Sequence, residues 1–181
     1  MTKNNPWKVV DDGKLKTSEI VAEMRKLFKV FVYDEESADK NFPKPDKKTT
    51  RYFQKNIEAD PENADKSAND LGEEGKINGI TLRERLILEL QYFKETGRHL
   101  DVENWTLCSG SRDSGGDVPS VHWSPGDGEV DVNWDVSGGR HSSMRSRQSC
   151  NPKSLSSFTP CQDKEHLRAV ETVRKMKELI K

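Results

Sequence analysis

Asp131, Asn133 and Asp135 read D-x-N-x-D, the opening of a calcium-binding loop. Val136 stands where the sixth loop position needs glycine, and no glutamate follows at the twelfth. At alternate positions of a strand these side chains share one face without converging on an ion, so a solvated strand face is expected. His99, His122, His141 and His166 fall in different predicted elements, so no metal cluster and no cofactor is implied. Serine, histidine and aspartate are abundant enough to suggest a hydrolytic triad, but no G-x-S-x-G elbow marks a nucleophile. GSRDSGGD lacks the G-K-[ST] ending of a phosphate loop. Arg140, Arg145 and Arg147 form a basic cluster, but Asp113, Asp117, Asp127 and Asp135 surround it. Arg145 and Arg147 are expected to pair internally, on one face of an extended strand. Cys108, Cys150 and Cys161 show no C-x-x-C spacing and allow at most one intrachain disulfide, with the pairing open.

These residues sit in a stretch whose vocabulary differs from the rest of the chain. No lysine occurs between Lys94 and Lys153. Residues 109–147 draw instead on Ser, Gly, Asp, Val and Arg around Trp123 and Trp134. Such adaptable hydrogen-bonding residues populate recognition loops, which points to a binding surface on a rigid frame. The whole chain has 181 residues, room for one domain with or without an extended arm. Charged residues are 34% of it but the net charge is -1, which argues against nucleic acid as the partner. No apolar run approaches a membrane span, and the N-terminus has no apolar stretch suited to a signal peptide. A cytoplasmic or virion-associated product is therefore expected.

The elements that must position these residues are read from periodicity. Ile20, Met24 and Phe28, with Val32 as an outlying continuation, recur at four-residue spacing, predicting a helix within 17–33 with Thr17 or Ser18 as N-cap. The β-branched and aromatic run KVFVY, 29–33, is placed to end it. Residues 34–78 are mostly polar and read as a linker, a long loop or partly disordered chain. Residues 81–96 are the best-specified helix. Thr81 and Glu84 form a capping box, Leu82, Leu86, Leu90, Phe93 and Ile87 make its apolar face, and Gly97 stops it. Strict alternation in 128–134 predicts a strand with Val130, Val132 and Trp134 inward and Asp131 and Asn133 outward. VPSVHW, 118–123, is a second strand, joined to it as a hairpin. Trp105, Trp123 and Trp134 are expected in the core. Ala169, Val173, Met176 and Ile180 predict an amphipathic helix over 163–180, which packs on the domain or pairs with another chain. The expected class is α+β, a small antiparallel sheet with flanking helices. Its predicted divisions are 1–78 (helix and polar linker), 79–150 (core domain) and 151–181 (helical tail).

The block WTLCSGSRDSGGDVPSVHW, followed by GEVDVNW and MRSRQS, resembles the variable region of proteins diversified by diversity-generating retroelements. It is most similar to the variable proteins of archaeal and candidate-phylum elements and their viruses. The likeness covers roughly residues 81–150. It rests on Cys108, Gly110, Arg112, Gly116, Val118, Pro119, Val121, Trp123, Val132, Trp134, Arg145 and Arg147. CSGSR and MRSR are only loose counterparts of the G-G-S-W and G-F-R that many members carry, and this chain runs on to Lys181.

The resemblance implies a C-type lectin fold, related to formylglycine-generating enzyme, used as a scaffold for hypervariable ligand-binding residues. Such editing alters template adenines, typically in AAC or AAT codons, and the products never encode Lys, Glu, Gln, Met or Trp. The missing lysines fit that filter. The positions it implies as exchangeable are Asp113, Ser114, Asp117, Ser120, His122, Ser124, Asp131, Asn133, Asp135, Val136, Arg140, His141, Ser142 and Ser143. The expected function is non-enzymatic binding of a protein or surface ligand, with few aromatics on the binding face. The runner-up readings are a hydrolase using Asp and His in the Gly-rich loops and a nucleic-acid-associated mobile-element protein.

Overall fold

The computed structural model of the chain describes residues 6–73 and 79–150. In chain order the elements are β1 (Trp7–Asp11), α1 (Thr17–Arg25), β2 (Lys29–Val32), α2 (Glu35–Asn41) and β3 (Thr49–Phe53). A 3-10 turn (Pro61–Asn63) and α3 (Ala68–Glu73) follow. Then come α4 (Leu82–Thr96), β4 (Trp105–Leu107), β5 (Val118–Ser124), β6 (Glu129–Asp135) and β7 (Met144–Arg145). The class is mixed α+β. One sheet has five strands in the order β2-β6-β5-β4-β7, and β1 pairs with β3 in a two-stranded antiparallel sheet.

The five-stranded sheet is mixed, where the sequence predicted an antiparallel one. β5 pairs antiparallel with β6 and with β4, but β2 runs parallel to β6 and β7 parallel to β4. β2 lies in the KVFVY run, which was expected to close the helix and not to form a strand. The helix ends at Arg25, and Lys29–Val32 alternates, with Val30 buried and Lys29 and Phe31 exposed. That period of two suits a pleated strand, and the β-branched valines favour it. Thr17 and Ser18 do not cap the helix. Lys16 holds the cap position, and its N–H donates to Glu19 Oε2 at 2.7 Å.

α4 follows its expected pattern at both ends. Thr81 Oγ1 accepts from the Glu84 N–H, Glu84 accepts in return from the Thr81 N–H, and Gly97 adopts a left-handed φ of 66°. Its middle differs from expectation. Arg85 and Glu89 are fully buried beside Leu82, Leu86 and Leu88, while Ile87 and Leu90 are only partly buried. The helix is enclosed on more sides than an amphipathic surface helix, because β1 and α1 pack on it as well as the sheet.

The polar stretch 34–73 is part of this domain and carries α2, β3, the 3-10 turn and α3. Phe42 and Phe53 enter the main core, and Ala38, Ala59 and Leu71 are buried too. A division at residue 78 is therefore not present in the packing. A few well-placed apolar residues suffice because α4 and the sheet supply the remaining surface. The predicted 163–180 helix and Cys161 lie outside the described residues. Among the described residues Cys108 and Cys150 are free thiols, Cys108 fully buried.

The centre of the domain holds charges as well as hydrocarbon. Asp101 Oδ2 accepts from Arg85 Nε at 2.9 Å, and Asp101 Oδ1 accepts from Arg147 Nη2 at 2.5 Å. Arg85 also donates to Glu89 at 2.7 Å, and the Thr106 hydroxyl donates to Asp101. Arg147 further donates to the carbonyls of Asn56 and Ile57 at 2.8 and 2.6 Å. Each charge removed from water thus has partners, which buried ions require. Of the two arginines expected to pair internally, Arg147 joins this network, whereas the buried Arg145 Nε has no hydrogen-bond partner among the described residues.

Candidate binding face

The β5–β6 hairpin separates its residues by alternation. Pro119, Val121 and Trp123 stand opposite Trp134, Val132 and Val130 on the inner side. Val121, Val130 and Val132 are buried in the main core, with Trp123 and Trp134 packed against it. The intervening pairs are Ser120 with Asn133, His122 with Asp131 and Ser124 with Glu129, and these face away from that core. The outer face therefore gathers six predicted positions: Ser120, His122, Ser124, Asp131, Asn133 and Asp135.

Trp105 is a correction. It belongs to this outer face, since Thr106 beside it turns inward to the Arg147–Asp101 network. Its ring stacks on His122 with centroids 4.2 Å apart and planes 12° apart. His122 Nε2 is 3.8 Å from Asp131 Oδ2, too long for a hydrogen bond. Burial lowers the His122 pKa, opposed by the charge of Asp131. Burial raises that of Asp131, opposed by His122. Both shifts have one cause, a partly dehydrated surface that disfavours the charged form of either group. Ser120 is only 1% exposed, and its Oγ has no hydrogen-bond partner among the described residues. A Ser–His relay is thus not formed between Ser120 and His122 in this geometry. His122 Nδ1 and Asp135 Oδ2 are likewise buried without a partner among the described residues.

One end of the outer face is covered. Leu107 and Val118 form a small apolar cluster with Ala68 of α3, joined by Met144. The connection from β6 to β7 runs against α3: the Asn69 N–H donates to the Ser137 carbonyl at 3.0 Å, and Arg140 pairs with Asp70 at 2.6 Å. This connection carries the other predicted positions Val136, Arg140, His141, Ser142 and Ser143. Val136, Arg140, His141 and Ser142 are exposed, with Val136 at 67%. Asp113, Ser114 and Asp117 lie in the loop before β5. Asp113 is engaged within that loop, its Oδ1 accepting from the Gly115 and Asp117 N–H groups at 2.8 and 2.9 Å. Ser124 is likewise tied down at the hairpin turn, donating to Asp127 at 2.7 Å.

Sequence reasoning missed Phe31. β2 lies in parallel register with β6, so Phe31 is the neighbour of Asp131 on the outer face and is 45% exposed. The alternation of Lys29–Val32 was the available signal, masked by a helical stripe that continued through it. The face consequently carries more aromatic surface than expected, from Phe31 on one side and Trp105 on the other.

The frame residues of the resemblance have mostly structural contacts. Arg112 donates to the carbonyls of Ser109, Ser111 and Ala68, tying the loop after β4 to α3. Gly110 sits where an added Cβ would come 2.3 Å from the Gly79 carbonyl oxygen. Among the described residues no group of three or more His, Cys, Asp and Glu side chains could hold a metal ion. No described helix is long and apolar enough to cross a membrane. A cleft of about 300 Å³ lies elsewhere, its lining including Phe42, Pro43, Arg83 and Arg112, with none of the fourteen predicted positions in it. Compared with known protein families, curated proteins and solved structures, the chain matches none of them.

Proposed function

We propose that this chain is a non-enzymatic binding protein. The outer face of β5 and β6, with the 136–143 connection, presents exchangeable side chains on a fixed scaffold. This is the manner of the variable proteins of diversity-generating retroelements, and the scaffold is then of the C-type lectin kind. The observation that carries the reading is the two-sided hairpin. His122, Asp131 and Asn133 face outward between strand neighbours Val121, Val130 and Val132 that are buried to 1% exposure or less. Outward side chains on such a hairpin can change while the inward ones hold the backbone. The resemblance supplies the editing mechanism, and the lysine-free stretch between Lys94 and Lys153 supports it.

The test is genetic. The DNA flanking this gene is sequenced for a near-copy of the codons for 109–150 beside a reverse transcriptase gene. A copy that differs only where it carries adenine, at codons for outward positions such as His122 and Asn133, is the expected result. Absence of a copy, or differences that fall on Val121, Val130 and Val132, overturns the reading.

A further inference from the structure

The outer face has a chemical character that the 113–143 segment does not set alone. Glu129, Asp131 and Asp135 lie along β6 on that side, and Phe31 of β2 stands beside Asp131. Among the described residues none of these carboxylates has a lysine or arginine within ion-pair distance. Asp131 has only His122, at 3.8 Å. Lys29 is the register neighbour of Glu129 but makes no ion pair with it. Arg140, the cation of the adjoining connection, is already held by Asp70. His122 does not offset the acids near neutral pH, because burial lowers its pKa.

A second observation is independent of charge. Three buried polar atoms on this face have no hydrogen-bond partner among the described residues: Ser120 Oγ, His122 Nδ1 and Asp135 Oδ2. Ser120 is almost wholly buried at 1% exposure, and its side chain points out of the sheet on the same side as His122. Buried polar atoms without partners are rare, and a concentration of them asks for an explanation. All three can act as acceptors, the imidazole in the tautomer that carries its proton on Nε2. Lysine and arginine donate without accepting and carry positive charge, so they match an acceptor-rich, acidic face better than tryptophan, whose single N–H is uncharged. Phe31 adds an exposed aromatic surface on which an aliphatic stem or a guanidinium can lie.

We propose that the partner of this face is a basic protein segment. Lysine or arginine side chains of the partner lie against Asp131 and Asp135, and the stem of the one at Asp131, or an apolar neighbour, packs on Phe31. The proposal rests on the display reading above and adds the partner's charge to it. Phe31, which lies outside the diversified stretch, becomes a fixed anchor that every diversified version of the protein keeps. The exchangeable residues around it, Asp131 and Asp135 among them, then set the partner each version takes, a basic one for this version.

The test uses the full chain, immobilised, and a random linear peptide library displayed on phage. Selected peptides are synthesised and their affinities measured against the wild type, Asp131→Asn and Phe31→Thr. Both changes preserve strand-compatible shape, and thermal melts of the two variants confirm that each is folded. The expected result is selected peptides rich in lysine and arginine, with affinity lowered on the order of tenfold by either change. Acidic or neutral peptides whose binding falls with the same changes overturn the basic-partner proposal and leave the display reading standing. Failure to select any peptide, or binding indifferent to both changes, overturns both.

Discussion

Arg147 and Asp101, 46 residues apart in sequence, form a 2.5 Å ion pair with side-chain exposures of 1% and 0%. Asp101 also neutralises Arg85, so one carboxylate serves two buried guanidinium groups. This makes it the joint between α4, β4 and the segment after β7. Its backbone adopts a left-handed φ of 54°, which aspartate tolerates better than most residues.

Asp101→Ala leaves two buried cations without their shared partner. Removing one member of a buried ion pair costs about 3–5 kcal/mol. Urea unfolding should therefore show a loss of that order, and native folding at 37 °C is in jeopardy. The exposed turn residue Asp127 supplies the control, since Asp127→Ala should stay within about 0.5 kcal/mol. Equal stabilities for the two variants would show that the network is not central to the fold.

The two sides of the hairpin should differ in their tolerance of change. Trp123→Ala removes a ring that stacks on His99 with centroids 3.6 Å apart, and should cost about 3 kcal/mol. Asn133→Ala, on the outer face, should move stability by no more than about 0.5 kcal/mol. His122→Ala falls between, about 1 kcal/mol, because its stacking on Trp105 is lost. Thermal melts that reverse this order would dismiss the division into frame and face.

Gly110 and Gly126 offer a steric contrast. A Cβ at Gly110 meets the Gly79 carbonyl oxygen at 2.3 Å, a backbone atom that cannot step aside, whereas nothing lies within 4 Å of one at Gly126. Gly110→Ala should destabilise by about 1–3 kcal/mol, the usual cost of overpacking. Gly126→Ala should be near neutral by the same denaturation assay.

Asp60 should give stability a specific pH dependence. It is 1% exposed, and burial pushes its pKa from 3.8 up to about 6, against the Gln148 N–H that donates to Oδ2 at 2.7 Å. The native state then holds a proton that the unfolded chain has released, from about pH 4 to 6. Its stabilising contribution is complete below pH 3.8 and is lost as pH rises through about 6. The difference amounts to roughly 3 kcal/mol at 1.36 kcal/mol per pH unit. Asp60→Asn keeps the acceptor for Gln148 and removes the titration. Relative to wild type, this variant should gain stability between pH 4 and 7. A constant difference across that range would mean Asp60 ionises normally.

The reach of local pattern is clear from particular elements. Thr81, Glu84 and Gly97 fix the ends of α4 through bonds within one turn, so four residues of sequence carry the information. The β5–β6 hairpin is legible because one buried and one wet face impose strict alternation. β2 was not legible as a strand: Phe28 and Val32 continue the four-residue stripe of α1, and only pairing with β6 turns Val30 and Val32 inward. Residues 34–73 looked unable to bury a core because their apolar residues are sparse. Their burial is purchased by surfaces that lie elsewhere in the chain.

The candidate face divides in the same way. The outward positions Ser120, His122, Asp131 and Asn133 follow from a period of two, a property of the extended backbone itself. Phe31 beside Asp131 and Trp105 beside His122 come from strands whose partners are distant in sequence, so no window of residues contains those relationships. Arg85 and Glu89 have the spacing of an ordinary solvated i, i+4 pair, and sequence alone cannot distinguish that from a buried network. Tertiary packing decided it by enclosing α4 and bringing Asp101 and Arg147 to the same charges. Short-range hydrogen bonding and alternation were therefore written in the sequence, while burial, which depends on what covers a residue, was settled only by the fold.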